Sequence, residues 1–178
     1  MDSAQIFLER SRYYLSSEYL PKLCQCVEVM PAEMIWHRAN ESSNSIGNLL
    51  MHLAGNVREW IVAGIGGPPV ARDRAGEFAA RNGLPARALI HELKKAVAEA
   101  DQVLAGVSVD DLARPCTIQA RETTVLAAIY HVVEHFGMHT GQIVLLTKER
   151  APEAIHFYDD SDGAARPLWG GGEGIREI

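Results

Sequence analysis

Apolar residues recur at spacings of three and four in four stretches of this chain, a pattern that predicts four long amphipathic helices. The stretches cover about 3–29, 45–65, 86–104 and 123–148. Pro21 should kink or restart the first helix, because proline has no amide hydrogen to donate. Ser45 is a good N-cap for the second helix, and Gly66-Gly67-Pro68-Pro69 is a strong stop after it.

The connections between these stretches are polar and rich in turn-forming residues. PPVARDRAGEFAARNGLP, 68–85, predicts an ordered loop of about 20 residues, and loops of that length are often functional. CTIQA, 116–120, is a short segment of extended character, and the glycine-rich tail after Pro152 has little helical character. We therefore predict one all-α domain over 1–178, a four-helix bundle with long loops, a core over about 3–150 and an irregular tail over 151–178.

Composition narrows the classes of function. The chain has 178 residues, 47% of them hydrophobic and 22% charged, as in ordinary globular proteins. No apolar run approaches the roughly 20 residues of a transmembrane helix, and the charged N-terminus is unlike a signal peptide, so a cytoplasmic location is expected. A net charge of −6 without a basic cluster disfavours nucleic-acid partners. We expect a small-molecule substrate and no membrane partner, and a homodimer is compatible with the sequence.

Cys24, Cys26 and Cys116 are an odd number of cysteines, which in a cytoplasmic chain are expected to be reduced. Cys24 and Cys26 form a C-x-C, but residues two apart on a helix point about 160° from each other. Buried, apolar thiols are therefore favoured over metal binding or redox work.

Three of the seven histidines stand in one run, HVVEHFGMHTGQI, at spacings of four. Residues four apart on an α-helix differ by about 40° in direction, so His131, His135 and His139 share one sector, near which Gln142 also points. Buried imidazoles need hydrogen bonds or a metal ion, because three polar rings are costly to bury otherwise. Partial exposure or hydrogen bonding within the core is the alternative interpretation.

One helix supplies two ligands to a metal ion comfortably, so a third must come from elsewhere. His52 lies within the apolar segment LLMHLAGNV, and Asn48 and Asn56 flank it one turn away on either side. The second helix thus carries a polar seam that should face the histidines of the fourth. Spacing alone leaves open whether the ligating pair is His131/His135 or His135/His139. The remaining histidines are expected at the surface: His37, His91 and His156.

SIGNLLMHLAGNVREW, RDRAGEF and HVVEHFGMHTGQIVLLTK resemble the DinB-like (DinB/YfiT) superfamily of metalloenzymes, from the first helix to about residue 150. The resemblance implies a four-helix bundle that holds one divalent ion, zinc or nickel, through three histidines. Carried over, the ligands are His52, His135 and His139, because the family's pair lies just before the Gly-Gln found here as Gly141-Gln142. Supporting positions around the ion would be His131, Asn56, Gln142 and Arg72.

Relatives of known activity use an open coordination position for a low-molecular-weight thiol such as bacillithiol or mycothiol. The resemblance therefore implies a metal-dependent thiol S-transferase or isomerase. Two alternatives stay open: a non-catalytic metal-binding or stress-response protein, and a metal-dependent hydrolase with Glu59 as its candidate base. The loop residues Arg72, Asp73, Arg74 and Glu77 would either hold an anionic group over the metal or anchor the loop to the bundle through salt bridges.

Overall fold

The computed structural model describes residues 2–67 and 70–169. Its helices are α1 (Ser3–Tyr13), α2 (Leu20–Val29), α3 (Ile46–Val57), α4 (Arg74–Ala79), α5 (Ala86–Ala105) and α6 (Val125–Lys148). π-Helical turns follow α1 at Tyr14–Tyr19 and α3 at Arg58–Ala63, and 3-10 turns occupy Ala32–Met34 and Asp110–Ala113. Two short antiparallel hairpins pair β1 (Pro115–Ile118) with β2 (Arg121–Thr124), and β3 (Tyr158–Asp159) with β4 (Arg166–Pro167).

The predicted all-α fold is confirmed, with four long helical stretches at the expected positions. The first stretch restarts rather than breaks at its proline: a π-helical turn leads into α2, where Pro21 stands near the N-terminus. In an α-helix the missing amide of Pro21 would have served the carbonyl of Ser17. Trp169 of the tail donates its indole N–H to that carbonyl at 3.0 Å instead.

Ser45 caps α3 as predicted, and it does so as part of a capping box. The Ser45 hydroxyl accepts from the Asn48 amide at 3.1 Å, and the Asn48 side-chain oxygen accepts from the Ser45 amide at 3.0 Å. Both residues are buried, so these bonds satisfy polar groups that water does not reach. The helix is thereby fixed at its first turn, one and a half turns before His52.

The core lies where α3 packs between α5 and α6 and where α2 packs on α5 and α6. It is built from the predicted apolar faces and includes Leu23, Leu50, Leu53, Leu93, Ile129, Val132 and Phe136, all essentially inaccessible to solvent. Within the described ranges, no helix is both long and apolar enough to cross a membrane.

The structure adds detail to the sequence-based expectation for the connections in three places. The loop after α3 contains a short helix, α4, which Asp73 caps by accepting from the Gly76 amide at 2.8 Å. CTIQA is half of a true β-hairpin, because strand β2 pairs with β1 and leads directly into α6. The tail is docked as far as Trp169, which is 4% exposed. Pro68, Pro69 and the 170–178 glycine-rich segment lie outside the described residues, so one domain over 1–178 stays a prediction.

Candidate metal centre

Helices α3 and α6 bring three imidazoles to one point. Nε2 of His52 lies 3.0 Å from Nε2 of His135, which in turn lies 3.2 Å from Nε2 of His139. One ring nitrogen from each histidine falls within 4.8 Å of the others. His131, one turn before His135, is not part of this group of three. The structure thus brings together the His135/His139 pair and His52.

The second ring nitrogen of His52, Nδ1, faces the buried ion pair between Arg72, which precedes α4, and Glu77, which lies within α4. Nδ1 of His52 lies 3.0 Å from a carboxylate oxygen of Glu77 and 3.1 Å from Nη2 of Arg72. A carboxylate can only accept, so Glu77 favours the tautomer in which Nδ1 carries the hydrogen. That tautomer leaves the lone pair on Nε2, the nitrogen that points at the other two histidines.

His139 is oriented in the same sense from its own helix. Its Nδ1 lies 2.7 Å from the side-chain oxygen of Gln142, which accepts the Nδ1 hydrogen. Its Nε2 therefore also presents a lone pair. Nδ1 of His135 is buried without a hydrogen-bond partner among the described residues, and its Nε2 faces both other Nε2 atoms.

The cluster has the donor chemistry of a divalent metal site. Burial, and then the neighbouring imidazoles of His139 and His52, lower the pKa of His135 to about 3. Burial also lowers the pKa of His139, so both rings are neutral at pH 7. Neutral nitrogens with converging lone pairs repel one another unless a cation lies between them. In a tetrahedral zinc site with Zn–N distances of about 2.0–2.1 Å, neighbouring nitrogens lie about 3.3–3.4 Å apart. The Nε2 atom of His135 lies at similar distances, 3.0 and 3.2 Å, from those of His52 and His139.

The loop that supplies Glu77 is anchored to the bundle by buried charges. Arg72 donates two parallel hydrogen bonds to Glu77, at 2.7 and 2.8 Å, and a third to Glu59 at 2.6 Å. Burial would raise the pKa of Glu77, but hydrogen bonds from His52 and Arg72 outweigh it and hold that pKa below its usual value. Of the two roles foreseen for the loop, the structure shows the salt-bridged anchor, and its Arg72 guanidinium is committed to carboxylates.

Gly55 makes room for this ion pair against α3. A Cβ atom at Gly55 would overlap Oε1 of Glu77 and would lie 2.7 Å from Nε of Arg72. The absence of a side chain therefore lets both charged groups approach the helix within reach of His52. A glycine in the middle of a helix lowers its stability. The close approach of Arg72 and Glu77 explains why glycine nevertheless stands at position 55.

The polar seam predicted on α3 divides between two neighbours. His52 faces α6, but Asn48 faces the end of α4, where its side-chain amide donates to the carbonyls of Glu77 and Ala80 at 2.7 and 2.9 Å. The expectation that the whole seam faces the fourth helix was therefore wrong. Asn48 instead fixes the backbone of Glu77, the residue whose side chain orients His52.

Asn56, Trp60 and His131 continue the polar row along the α3–α6 contact. The ring of His131 packs on Trp60 with centroids 4.2 Å apart and lies 5.4 Å from the His135 ring. Burial lowers the pKa of His131, which is neutral at pH 7. Asn56 is 4% exposed, and its side-chain oxygen has no partner in the described residues. His131 thus borders the histidine cluster without contributing a nitrogen to it.

A cavity of about 310 Å³ lies beside the centre rather than at the imidazoles. Its walls include apolar side chains of α3 and α5, such as Leu50, Met51 and Leu89, and Arg72 and Glu77 form one side. Three more charged residues line it: Arg58, Asp73 and Glu92. The ion pair therefore separates this cavity from His52. We regard the histidine cluster as the candidate reaction site, because three imidazole nitrogens converge there.

Two contacts of the centre could not be anticipated from the sequence. Glu77 was recognised as a charged loop residue, but its contact with His52 depends on the folded loop. Gln119 was placed in an extended segment, and its amide donates to Glu59 at 2.6 Å. The one available signal was that metal-binding histidines generally need an acceptor on their second nitrogen. The other histidines are exposed as expected: His37, which contacts Arg150, His91 and His156.

Comparison with known proteins agrees with the fold. A family described as mycothiol-S-transferase matches residues 15–150, a range that contains His52, His135 and His139. A solved structure, a DinB-like protein from Bacillus cereus ATCC 10987, superposes with a TM-score of 0.61 at 16% identity, covering 80% of this chain and 89% of that chain. At that identity the likeness concerns the fold alone. Among curated proteins, none matches the chain significantly.

The family match extends from the π-helical turn after α1 to just beyond the end of α6, and the structural match has the same helical architecture. The resemblance inferred from the histidine motifs is thereby confirmed. This chain belongs to the mycothiol-S-transferase family, within the DinB-like superfamily.

Proposed function

We propose that this protein is a metal-dependent thiol S-transferase whose divalent ion, zinc or nickel, is held by His52, His135 and His139. The observation that carries the proposal is the convergence of three Nε2 atoms inside the segment that the family covers. Two of the rings have an acceptor on Nδ1, Glu77 for His52 and Gln142 for His139. Such acceptors hold the lone pair of a ligating imidazole toward the metal.

The thiol comes from outside the chain. Cys26 is fully buried, and burial raises its pKa to about 11, so it is protonated at neutral pH. Burial also raises the pKa of Cys24 and of Cys116. None of the three cysteines belongs to the metal-binding group of side chains. A low-molecular-weight thiol such as mycothiol or bacillithiol is therefore the nucleophile that we assign to the reaction.

The reaction transfers this thiol to an electrophilic carbon. The sulfur lone pair forms the new S–C bond, the bond to the leaving group breaks with its electrons on that group, and the thiol proton goes to solvent or to the leaving group. A bound divalent cation lowers the pKa of a thiol that reaches it, so that thiolate is available near pH 7. The chain's contribution is orientation: the three imidazoles would hold the cation, and Glu77 and Gln142 orient the rings of His52 and His139.

The carboxylates near the cluster favour thiol transfer over hydrolysis. Hydrolysis needs a base beside the reacting water. Glu77 is bonded to Arg72 and to Nδ1 of His52, on the side of the ring away from the cluster. Glu59, the base considered for a hydrolase, is bonded to Arg72 and Gln119. Both carboxylates are therefore engaged in ion pairs and hydrogen bonds that position other side chains. Attack by an external thiol does not need a carboxylate base beside it.

Metal content tests the first half of the proposal. Protein purified without an affinity tag is expected to carry about one equivalent of zinc or nickel, and His135→Ala should lose it. His156→Ala, which removes an exposed histidine, is the matched control and should retain the metal. Equally low metal content in the native protein and in His135→Ala would contradict the site.

Conjugation of monochlorobimane tests the second half. The metal-loaded protein is expected to accelerate its reaction with mycothiol or bacillithiol, and glutathione and cysteine serve as comparison thiols. His135→Ala should abolish the acceleration and His156→Ala should not. A protein that binds metal but accelerates none of these reactions would instead be a non-catalytic metal-binding protein.

A further inference from the structure

The β1–β2 hairpin ends in a strained turn. Ile118 pairs with Arg121, so Gln119 and Ala120 form a two-residue loop, with φ angles of 54° and 58°. They are the only non-glycine residues with positive φ in the ranges that the structure describes. Two-residue loops of this kind strongly prefer Asn-Gly or Gly-Gly, because a Cβ atom is unfavourable in the left-handed region. A Gln-Ala pair here is a costly choice for the turn alone.

The hairpin is firmly seated on the end of the α3 stretch. Ile118 is 3% exposed, and a Cβ atom at Gly64 would lie 2.5 Å from the Cδ1 atom of Ile118. The hairpin therefore packs closely on the helix that carries His52, and β2 leads directly into α6, which carries His135. A side chain at the loop is thus held at a defined place relative to both ligand-bearing helices.

The Gln119 side chain uses that place to contact Glu59. Its amide donates to Oε2 of Glu59 at 2.6 Å, and the same oxygen accepts from Nη1 of Arg72, also at 2.6 Å. Nη2 of Arg72 lies 2.8 Å from Glu77 and 3.1 Å from Nδ1 of His52. A continuous chain of hydrogen bonds and ion pairs therefore runs from the hairpin loop to the ligand on α3.

The orientation of Arg72 decides which ring nitrogen of His52 carries the hydrogen. Glu77 accepts a hydrogen from Nδ1 and so leaves the Nε2 lone pair free, whereas Arg72 donating to Nδ1 would force the hydrogen onto Nε2. The two partners compete at nearly equal distance, 3.0 and 3.1 Å. Glu59 draws Nη1 of Arg72 away from the ring and keeps Nη2 directed at Glu77. Loss of that attraction frees Arg72 to donate to His52.

We propose that Gln119 is a positioning residue which, through Glu59 and Arg72, holds His52 in the tautomer that presents Nε2 to the histidine cluster. The strained left-handed backbone of the loop serves to direct the Gln119 side chain at Glu59. The consequence for metal binding rests on the proposed function, whereas the effect on the His52 tautomer does not require a metal.

Two glycine substitutions separate strain from positioning. Gln119→Gly and Ala120→Gly each remove a Cβ atom from a left-handed residue, so each should raise the melting temperature by about 2–4 °C. Only Gln119→Gly removes the contact with Glu59. Because both variants are expected to be more stable than the native protein, loss of folding does not confuse the comparison. Glu59→Gln, which removes the charge that attracts Arg72, should act in the same direction as Gln119→Gly.

The tautomer is measured by ¹H–¹⁵N NMR of the imidazoles in metal-free protein, with the His52 signals identified by their loss in His52→Asn. In the native protein and in Ala120→Gly, His52 should carry its hydrogen on Nδ1. In Gln119→Gly the fraction with the hydrogen on Nε2 should rise several-fold. Identical His52 spectra in Gln119→Gly and Ala120→Gly would overturn the proposal.

Cobalt titration supplies a second readout. Co²⁺ affinity should fall about 3- to 10-fold in Gln119→Gly, less than for a residue in direct contact with a ligand, and less than 2-fold in Ala120→Gly. A parallel loss of affinity in both variants would overturn the assignment to Gln119. If the native protein binds no Co²⁺ while the NMR difference is present, the proposed function fails and the positioning role of Gln119 stands.

Discussion

The buried carboxylate of Glu77 lies 3.0 Å from Nδ1 of His52, on the opposite side of the ring from the histidine cluster. This contact joins two segments 25 residues apart in the chain. It favours the His52 tautomer that carries its hydrogen on Nδ1 and directs the lone pair of Nε2 at His135. Carboxylate–histidine pairs of this kind are a common means of orienting metal ligands.

Glu77→Gln should lower metal affinity about 10- to 100-fold, because an amide no longer matches both Arg72 and His52. The buried Arg72 loses its bidentate partner, so the free energy of unfolding should also fall, by about 2–4 kcal/mol. Affinity is measured by competition with a chelator and stability by urea denaturation. Asp73→Ala, which removes the cap of α4, is the control: it should cost about 1 kcal/mol and leave affinity unchanged. Equal affinity in all three proteins would contradict the role of Glu77.

Gly55→Ala should destabilise the protein by about 1–3 kcal/mol and weaken metal binding, because its methyl group would occupy the space of the Arg72–Glu77 pair. Gly141→Ala is the matched control in the other ligand-bearing helix. Apart from the backbone of α6 itself, no atom of the described residues lies within 4 Å of the position that a Cβ atom at Gly141 would take. Alanine there should therefore stabilise α6 by up to about 1 kcal/mol. Thermal unfolding and metal titration of both variants check this. If Gly55→Ala were as harmless as Gly141→Ala, close packing of the ion pair would be disproved.

Asn48→Ala should cost about 2–4 kcal/mol, since it removes the capping box and takes the Asn48 donor from the carbonyls of Glu77 and Ala80, although Ala80 keeps a donor in Arg38. Metal affinity should fall as well, because the Glu77 backbone is no longer fixed. Asn40→Ala removes hydrogen bonds of an exposed turn and should cost about 1 kcal/mol or less. Urea denaturation compares the two variants, and similar losses would speak against a special role for Asn48.

The pKa of Cys26, raised by burial to about 11, predicts a loss of stability at alkaline pH. The folded state keeps this thiol protonated to higher pH than the unfolded chain, whose thiol has a pKa near 9. The contribution is therefore fully present below about pH 9 and is lost as the pH rises through 11, by up to about 3 kcal/mol. The stability advantage of the native protein over Cys26→Ala should shrink accordingly between pH 8 and 11.5. A constant difference across that range would contradict the assignment.

Alkylation of the native protein by iodoacetamide at pH 8 gives an independent check of the same thiol. Cys26 should stay unmodified on the time scale in which it reacts in urea, because the thiolate is the reactive form.

Local sequence was enough to predict most of the helical architecture. Apolar spacing located the four long stretches, Ser45 marked the start of α3, and Pro21 marked the restart of α2. These features depend on residues within a few positions of one another, where helix geometry is regular. The α4 helix was missed, and of the β1–β2 hairpin only the extended segment of β1 was predicted. Short elements with few apolar residues are formed by tertiary contacts, such as the packing of Ile118 on Gly64.

The candidate site divides in the same way. The direction shared by His135 and His139 follows from their four-residue spacing on one helix, and the family resemblance added His52. The resemblance also suggested Gln142 and Arg72 as supporting positions, and they lie against His139 and His52. The other contacts around these rings were decided by the tertiary structure. Glu77 reaches His52 only because Gly55 leaves room and Asn48 holds its backbone, and Gln119 reaches Glu59 across 60 residues of chain. Sequence periodicity describes which residues share a helix face, but contacts between distant segments depend on how the faces pack, which periodicity does not contain.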